Sequence, residues 1–359
     1  MNYGFIDICD TPTLGVLIDG KLRHYKEYKT DELPIGSIIR ARVVKKLPWL
    51  ECFEVQISDE ETALLPYKQK LDETSSDQIL VQLVKPKLGK KNARVTEKIK
   101  LKGKYIIVDP YTKGVNISRK IEDEYKRELL ISTVSDCNPE YGIIIRTDAE
   151  YADIESIKSE LRILVMRTEM ILKELNFLPT PKVIYWQKPD YAAEIKTFAN
   201  DLNQVITNST SVFEELSKDH LLKDKIVIKR AYDVSEDREV QFRLGNRVNR
   251  VIELNSGANI VIDELEALTV IDVNSSSFTY GSNKEESALK VNLAVIEEIL
   301  NQIMIRSLGG IIIIDFIRMN SGNSEIVKNI FISTSKEYNL NINYIGFTRS
   351  GLLEVVVNR

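Results

Sequence analysis

Two apolar segments near the C-terminal end, each interrupted by one aspartate, constrain the fold of this chain more than any other feature. The first runs from Glu266 to Ser275 around Asp272, and the second runs from Gly310 to Met319 around Asp315. Apolar residues recur between them at intervals of three and four, which predicts one face of a helix: Leu289, Leu293, Ile296, Leu300 and Ile303. A helix that connects two apolar strands is the usual crossover of a parallel pair. The two aspartates are therefore predicted to lie at the same edge of a sheet.

Two carboxylates that converge on one point repel each other, so they require a hard cation such as Mg2+ between them. Asn274 lies two residues after Asp272, and strand alternation places it on the same face, where it offers a neutral oxygen. The alternative is a buried pair of aspartates that loop amides or a lysine satisfy. The residues alone leave both interpretations open.

Three ordered segments around these aspartates carry a family resemblance: Ser256–Asp263, Glu266–Ser275 and Leu308–Ile317. Together they resemble the catalytic core of the ribonuclease E/G family, bacterial endoribonucleases that cut single-stranded RNA. The resemblance implies that Asp272 and Asp315 hold the catalytic Mg2+, for which Mn2+ is a substitute ion. It also implies that Asn274 assists the two aspartates.

The arrangement of short strands predicts a small barrel early in the chain. Strand-sized segments at 37–46, 51–57, 61–65 and 78–84 are typical of an oligonucleotide-binding barrel. The strands predicted within residues 1–34 are too short for a core of their own, so they are expected to pair with a later segment. An amphipathic helix is predicted from Asp153 to Asn176, and shorter helices are predicted at 123–130, 192–203, 211–216 and 323–338.

The resemblance implies a multidomain α+β and α/β fold. In it, residues 1–34 and 191–247 form a ribonuclease-H-like subdomain into which an S1 RNA-binding barrel, residues 35–98, is inserted. Residues 99–190 form a 5'-phosphate sensor subdomain, and residues 248–359 form a DNase-I-like catalytic subdomain.

A cation and a hydroxyl stand together at the end of a predicted strand, at Arg146 and Thr147. An arginine in this position is able to hold a terminal phosphate through bidentate hydrogen bonds. Read without the family, Arg146 is more simply a surface ion-pair partner. The resemblance implies a sensor for the 5' monophosphate of RNA, to which Gly103, Ile107 and Arg349 also contribute.

RNA-binding residues are predicted on the barrel and in the basic segment that follows it. Nine cations and one acid occupy residues 85–104, which indicates either a solvated face or a surface that follows phosphates. Lys90, Lys91 and Arg94 are the predicted phosphate contacts. The family presents aromatic side chains for base stacking, whereas this chain has Phe53 one position away and Leu64 in place of a phenylalanine. Phe53 is therefore either a stacking residue or a core residue.

The composition limits the kinds of catalytic and metal site that this chain is able to form. The chain has 359 residues, a net charge of -4 and 43% hydrophobic residues, which is ordinary for a globular protein. Three separated cysteines argue against disulfides and cysteine zinc sites, and two histidines provide little material for histidine catalysis. No long apolar run or leader is evident, so a cytoplasmic protein without membrane contact is expected.

The predicted function is a Mg2+-dependent endoribonuclease that leaves a 5' phosphate and a 3' hydroxyl and prefers RNA with a 5' monophosphate. The alternative is an RNA-binding regulator of the same fold that has lost catalysis. Family members commonly continue into a zinc-binding CPxC segment, and the chain has no cysteine after Cys137. No zinc or zinc-linked oligomer is therefore expected, and a homodimer through other surfaces stays open. Arg318 replaces the acid usual in the family, and strand alternation predicts that it points away from Asp315.

Overall fold

The structure is a computed structural model that describes residues 2–29, 32–71, 77–87, 92–137, 140–177, 179–275 and 283–358. Helices and strands are interspersed through these ranges, which gives a mixed α/β fold. The chain divides into two units, Met1–Thr30 with Asp190–Arg359, and Asp31–Pro189. The second unit is thus an insertion in the sequence of the first.

The elements have the following bounds. The strands are β1 (Tyr3–Asp7), β2 (Thr13–Ile18), β3 (Lys21–Glu27), β4 (Ile38–Leu47), β5 (Cys52–Gln56), β6 (Thr62–Pro66), β7 (Gln78–Lys85), β8 (Ala93–Thr96), β9 (Leu101–Lys102), β10 (Ile106–Asp109), β11 (Val115–Ile117), β12 (Gly142–Ile145), β13 (Lys182–Tyr185), β14 (Gln204–Thr207), β15 (Ile226–Ile228), β16 (Val251–Glu253), β17 (Asn259–Glu264), β18 (Leu268–Asn274), β19 (Gly310–Asp315), β20 (Ile342–Phe347) and β21 (Leu353–Val357). The α-helices are α1 (Glu124–Ser135), α2 (Ile154–Lys173), α3 (Tyr191–Lys196), α4 (Thr210–Leu216), α5 (Arg238–Leu244), α6 (Lys284–Ile305) and α7 (Ser321–Glu337). Within the described ranges, every helix is too short or too polar to span a lipid bilayer.

Five strands of the inserted unit close into a barrel in the order β4-β5-β6-β8-β7, with β7 pairing back to β4. Only the β6–β8 pairing is parallel. The barrel is compatible with the predicted S1 domain. Its fifth strand, β8, lies in the lysine-rich segment, where the sequence pattern predicted none because only Ala93 and Val95 alternate inward there.

A second sheet of the inserted unit has the order β11-β12-β10-β9 and is covered by α1 and α2. The helix α2 begins at the predicted position because the Asp153 side chain accepts the N–H of Ser156 at 2.8 Å. Its apolar stripe lies buried against the sheet: Ile157, Leu161, Leu164 and Ile171. The prediction of an amphipathic helix is therefore confirmed.

The N-terminal strands obtain their partners from a distant part of the chain. They form a sheet in the order β15-β14-β1-β2-β3, in which β1 and β14 are parallel. This confirms that the N-terminal strands require a later segment. The helix predicted at 192–203 is shorter than expected, because α3 ends at Lys196 and turns lead into β14.

The last sheet has the order β16-β17-β18-β19-β21-β20. One of its faces packs on α6, whose opposite side packs on the N-terminal sheet, and both contacts belong to one hydrophobic core. A helix between two sheets is buried on several sides, and α6 accordingly buries Val291, Val295, Ile299 and Ile303. The core thus fixes the crossover between the two aspartate strands.

We expect Ile299→Ala to destabilise this unit by about 2–5 kcal/mol, because Ile299 is fully buried and its truncation leaves a cavity. The matched control is Ile330→Ala in α7, where the isoleucine is 37% exposed and the loss is expected to be below about 1 kcal/mol. Urea denaturation followed by circular dichroism measures both variants. Equal losses would contradict the central position of α6 in the core.

Candidate functional site

The two predicted aspartates lie opposite each other on neighbouring parallel strands. In the register of β18 and β19, Asp272 pairs with Asp315. Neighbouring strands lie about 4.8 Å apart, so the two side chains start from adjacent positions. The expectation of a parallel pair that brings the aspartates together is confirmed.

Strand alternation directs both carboxylates away from the helices. The helix-facing positions of these strands are buried: Thr269, Ile271, Val273, Ile312 and Ile314. Asp272 occupies the alternate face and is half-buried, and Asp315 is exposed. The aspartates therefore lie on the open face of the sheet and not in the core.

Asn274 lies on the same face of β18 and acts on the nearer carboxylate. Its Nδ2 donates a hydrogen bond of 2.9 Å to Oδ2 of Asp272. Within the described residues, neither aspartate forms an ion pair with a lysine or arginine. The described residues therefore do not support the alternative in which a lysine neutralises a buried pair of aspartates.

The two negative charges act on each other. Partial desolvation of its carboxyl group and the charge of Asp272 both raise the pKa of Asp315 above its ordinary value. A cation bound between the carboxylates would reverse the effect, because it favours the charged form of both groups. The pair is therefore electrostatically prepared to receive a positive ion.

The donor set consists of oxygen ligands of the kind that hard cations such as Mg2+ prefer. Mg2+ is bound through one or two carboxylates while it keeps several of its waters, and it prefers oxygen ligands. Among the described residues, no cluster of three or more histidine, cysteine or acidic side chains is placed to hold a metal ion. Two carboxylates and an amide provide the one or two carboxylate ligands that Mg2+ needs. They do not provide the cysteine and histidine ligands of a structural zinc site.

Asn292 is a residue of this region that the sequence analysis missed. It is fully buried on α6, where its Nδ2 donates to the carbonyl of Ile317 at 2.8 Å and its Oδ1 accepts the N–H of Ile317 at 2.9 Å. The side chain thus pairs with the backbone two residues beyond Asp315. Its signal in the sequence is an amide within the apolar stripe of a helix, between Leu289 and Leu293.

Strand alternation was the basis for predicting that Arg318 points away from Asp315. That basis is wrong, because the strand does not extend to Arg318. The strand β19 ends at Asp315, and Arg318 lies in the following irregular segment, where its side chain is exposed. The backbone bonds that Ile317 makes with Asn292 replace the ladder beyond the strand end. Alternation therefore does not determine the direction of Arg318.

Arg146, Thr147 and Gly103 lie together at one end of the β10–β12 pair. Arg146 Nη1 donates a hydrogen bond to the carbonyl of Gly103. The Thr147 hydroxyl lies 2.9 Å from that of Ser118. Ile107 lies on the adjacent strand β10, opposite Ile144. Arg349 belongs to the other unit, in the exposed turn between β20 and β21.

Glu160 on α2 holds the turn that carries Gly103. Its carboxylate accepts the backbone N–H of Lys104 and, at 2.6 Å, that of Tyr105. Burial raises the pKa of Glu160, although these hydrogen bonds and the charge of Arg146 oppose the shift. A side chain at Gly103 would overlap the Glu160 carboxylate and displace it from the turn, so glycine is favoured at this position. An acid within the apolar stripe of α2, next to Leu161 and three residues after Ile157, was the available sequence signal.

The predicted RNA-binding residues of the barrel occupy different environments. Phe53 lies inside the barrel with 5% exposure, which corresponds to the core alternative of the sequence analysis. Leu64 is half-buried on the outer face, where it lies between Glu54 and Arg94 in the strand register. Arg94 is exposed, and Lys90 and Lys91 lie outside the described residues.

Comparisons with known proteins find similarity along most of the chain. The model of the Ribonuclease E/G family matches residues 100–359, which include both aspartates and the Arg146 region. Ribonuclease G of Haemophilus influenzae is 29% identical over 360 residues, covering 90% of this chain and 72% of that protein. Ribonuclease E of Nostoc is 30% identical over 320 residues, covering 81% of this chain and 46% of that protein.

Ribonuclease E of Synechocystis is 28% identical over 323 residues, covering 83% of this chain and 48% of that protein. The chain thus spans nearly three quarters of the ribonuclease G relative and about half of each ribonuclease E relative. The family model covers more than two thirds of the chain, and the relatives extend the match across the barrel. The chain therefore belongs to the ribonuclease E/G family.

Proposed function

We propose that this protein is an endoribonuclease that hydrolyses single-stranded RNA with Mg2+, leaving a 5' phosphate and a 3' hydroxyl. The observation that carries the proposal is the register of Asp272 opposite Asp315 on the open face of a sheet, within the region that the family model matches. The relatives are named ribonuclease G and ribonuclease E, which supports RNA as the substrate. Processing or decay of RNA in the cytoplasm is the corresponding role.

The proposed division into subdomains follows from the same family membership. The N-terminal sheet with α3 and α4 corresponds to the ribonuclease-H-like part, and the sheet that contains β18 and β19 corresponds to the DNase-I-like catalytic part. The sheet that contains β10 and β12 corresponds to the sensor. The closed barrel corresponds to the S1 domain and supports RNA binding through Leu64, Arg94 and the basic segment that includes Lys90 and Lys91.

In the proposed mechanism Asp272 and Asp315 hold Mg2+, or Mn2+ in its place. The ion, when bound, supplies a Lewis acid for the scissile phosphate and acidifies a water. Asn274 keeps the Asp272 carboxylate oriented through its hydrogen bond, and Asn292 fixes the backbone beyond Asp315. Both carboxylates lie on the face of the sheet opposite α6, and an RNA strand would approach the ion from that face.

We expect Asp272→Asn and Asp315→Asn each to reduce cleavage roughly 100-fold or more, because each removes a charged metal ligand. Binding of RNA should change little, since the phosphate-binding cations stay in place. The measurement is cleavage of an A/U-rich single-stranded RNA with Mg2+ and with EDTA, together with fluorescence anisotropy for binding.

The matched control is Asp263→Asn, on the neighbouring strand and the same face of the sheet. Asp263 forms an ion pair with Arg250 at 2.6 Å and has no assigned role in cleavage, so that variant should cut at the wild-type rate. Wild-type cleavage by either Asp272 or Asp315 variant would remove the basis of the metal assignment. Tight RNA binding without any cleavage by the wild type would instead favour the RNA-binding regulator.

We also expect a pH-dependent stability difference at the site. The pKa of Asp315 is raised in the folded protein, so at pH values between the unfolded and the folded pKa the folded state retains a proton that the unfolded chain has lost. Stability contributed at this position therefore falls as the pH rises through the raised pKa. Without added Mg2+, Asp315→Asn should melt at a higher temperature than the wild type at pH 7, and the difference should shrink toward about pH 4.

The Asp263→Asn variant is the control for this comparison, because the pKa of Asp263 is lowered in the folded protein whereas that of Asp315 is raised. Arg250 lowers the pKa of Asp263, so the stabilisation from that ion pair is fully present above the ordinary carboxyl pKa and is lost as the pH falls through the lowered pKa. The asparagine there should gain no stability at pH 7. A lower melting temperature for Asp315→Asn at pH 7 would show that Asp315 is not held in a repulsive environment.

We further propose that Arg146 binds the 5' monophosphate of the RNA, with Thr147, Gly103 and Ile107 as the other sensor residues of the inserted unit. A guanidinium forms a bidentate pair with phosphate, and the bond from Arg146 Nη1 to Gly103 orients it. Glu160 would act through the turn, because its carboxylate accepts the backbone N–H groups of Lys104 and Tyr105. This supports a sensor whose arginine is positioned before RNA binds.

We expect Arg146→Gln to lower the preference for 5'-monophosphorylated over 5'-hydroxyl RNA by roughly tenfold, the magnitude of a charge-assisted hydrogen bond. Cleavage of the 5'-hydroxyl substrate should stay unchanged. Arg146→Lys should also lose preference, because an ammonium cannot form the planar fork. Arg162→Gln, an exposed arginine on α2, is the control. An unchanged preference in Arg146→Gln would exclude Arg146 as the phosphate contact.

A further inference from the structure

The outer face of the second and third barrel strands offers no aromatic side chain for base stacking. Its positions on the fully described strands β5 and β6 hold Glu54, Gln56, Thr62, Leu64 and Pro66. Oligonucleotide-binding barrels use this face together with the loop between the first two strands and the loop between the fourth and fifth. If this barrel stacks bases, the aromatic group must therefore come from a loop.

The loop between the first two barrel strands presents such a group. Residues Pro48–Leu50 form a single turn between β4 and β5, and Trp49 within it is 75% exposed. Leu50 beside it is 50% exposed. A tryptophan with most of its surface in water is unusual for a residue with so large an apolar area, and such exposure indicates a contact surface.

The turn that carries Trp49 is held in place by backbone bonds. The N–H of Glu51 donates to the carbonyl of Pro48 at 3.1 Å, and the N–H of Tyr67 donates to the carbonyl of Glu51 at 2.9 Å. The Tyr67 ring in turn packs on Phe53, with ring centroids 4.8 Å apart. Trp49 thus projects from a braced turn, which reduces the ordering cost of any contact it makes.

Cations gather around the same end of the barrel. The ammonium groups of Lys46 and Lys70 each lie 5.5 Å from the centroid of the Phe53 ring, at the base of the hairpin. The charge of Arg94 reaches Cys52, the first residue after the turn, where it lowers the thiol pKa against the stronger effect of burial. A polyanion that contacts the turn would therefore find positive charge on the adjoining strands.

Acidic groups are also present and one of them is neutralised. Glu54 forms an ion pair with Lys45 at 3.1 Å and accepts the hydroxyl hydrogen of Thr62 at 3.2 Å. Glu51 is exposed beside the turn. Among the described charged residues beside the turn, Lys46 and Arg94 outnumber Glu51, so an acidic partner is favoured over a basic one.

We propose that Trp49 stacks on an unpaired nucleobase of single-stranded RNA, and that Lys46 and Arg94 attract the adjoining phosphates. The inference rests on the proposed function and adds to it a stacking residue in the loop between the first two barrel strands. Stacking on an aromatic ring is tolerant of sequence because every base has a π-face. The barrel would then bind RNA by strand shape and charge more than by base identity.

The chain allows a direct test because it contains two tryptophans, Trp49 and Trp186. In a Trp186→Phe background, tryptophan fluorescence reports on Trp49 alone. The probe is a single-stranded A/U-rich RNA of about 12 nucleotides, within the site size of such barrels, titrated in EDTA to prevent cleavage. We expect the RNA to quench Trp49 fluorescence, and we expect a duplex of the same sequence and inorganic polyphosphate not to do so.

Binding measurements on the 359-residue chain give the size of the effect. Trp49→Ala should weaken binding roughly 5- to 100-fold, and Trp49→Phe should keep most of the affinity. The matched control is Trp186→Ala, because Trp186 is 45% exposed outside the barrel loops and should leave binding unchanged. The dependence of affinity on salt should be the same for Trp49→Ala and the wild type, since no phosphate contact is lost.

Three outcomes would overturn the inference. Wild-type affinity in Trp49→Ala would exclude a stacking contribution, and equal quenching by polyphosphate would show that Trp49 senses charge only. A change in sedimentation of Trp49→Ala with unchanged RNA affinity would assign the turn to a protein contact. Mg2+-dependent cleavage by the wild type in any of these cases would leave the proposed function intact, whereas loss of both binding and cleavage would reject the function as well.

Discussion

The candidate site depends on the parallel pairing of β18 and β19, in which Asp272 stands opposite Asp315. Side chains on a strand alternate between two faces, so a slip of one residue would turn one aspartate toward α6 and leave the other outside. The register is held by the apolar residues of the opposite face, since Ile271, Ile312 and Ile314 are buried against the helix. Packing on one face of the sheet thus determines the geometry of the carboxylates on the other.

At Asp315, the charge that is proposed to bind a cation also lowers the stability of the folded state. Partial desolvation and the charge of Asp272 raise the pKa of Asp315, so the folded state in the absence of a cation is less stable than a neutral side chain would make it. The cost is tolerated because α6 is buried between two sheets and supplies a large apolar core. Asn292 adds an interaction that neither strand provides, because it pairs with the backbone where the ladder has ended.

In the inserted unit, as at Asn292, a polar side chain of a helix bonds to the backbone beside a candidate site residue. Glu160 holds two amides of the turn at Gly103, and that turn accepts the hydrogen bond of Arg146. In the barrel, Phe53 is buried and Trp49 is exposed in a turn. Core packing and surface contact thus fall to two different aromatic residues. One ring stabilises the core, and the other is available for contact.

The sequence alone determined the elements whose hydrophobic period is regular and long. The strands around Asp272 and Asp315, the helix between them, the amphipathic helix α2 and four of the barrel strands follow from local patterns, since period and length distinguish helix from strand. The need of the N-terminal strands for distant partners also followed, because the segment is too short for its own core. The family resemblance came from the same ordered segments.

Only the tertiary structure decided the contacts between residues that are distant in the chain. It placed the aspartates on the open face, buried Phe53, formed β8 among lysines and ended β19 at Asp315, so that alternation does not reach Arg318. It also brought Glu160 to the turn at Gly103 and Asn292 to Ile317. These outcomes depend on hydrogen bonds and burial across tens of residues, and a local pattern contains no information about which distant backbone groups a polar side chain will satisfy.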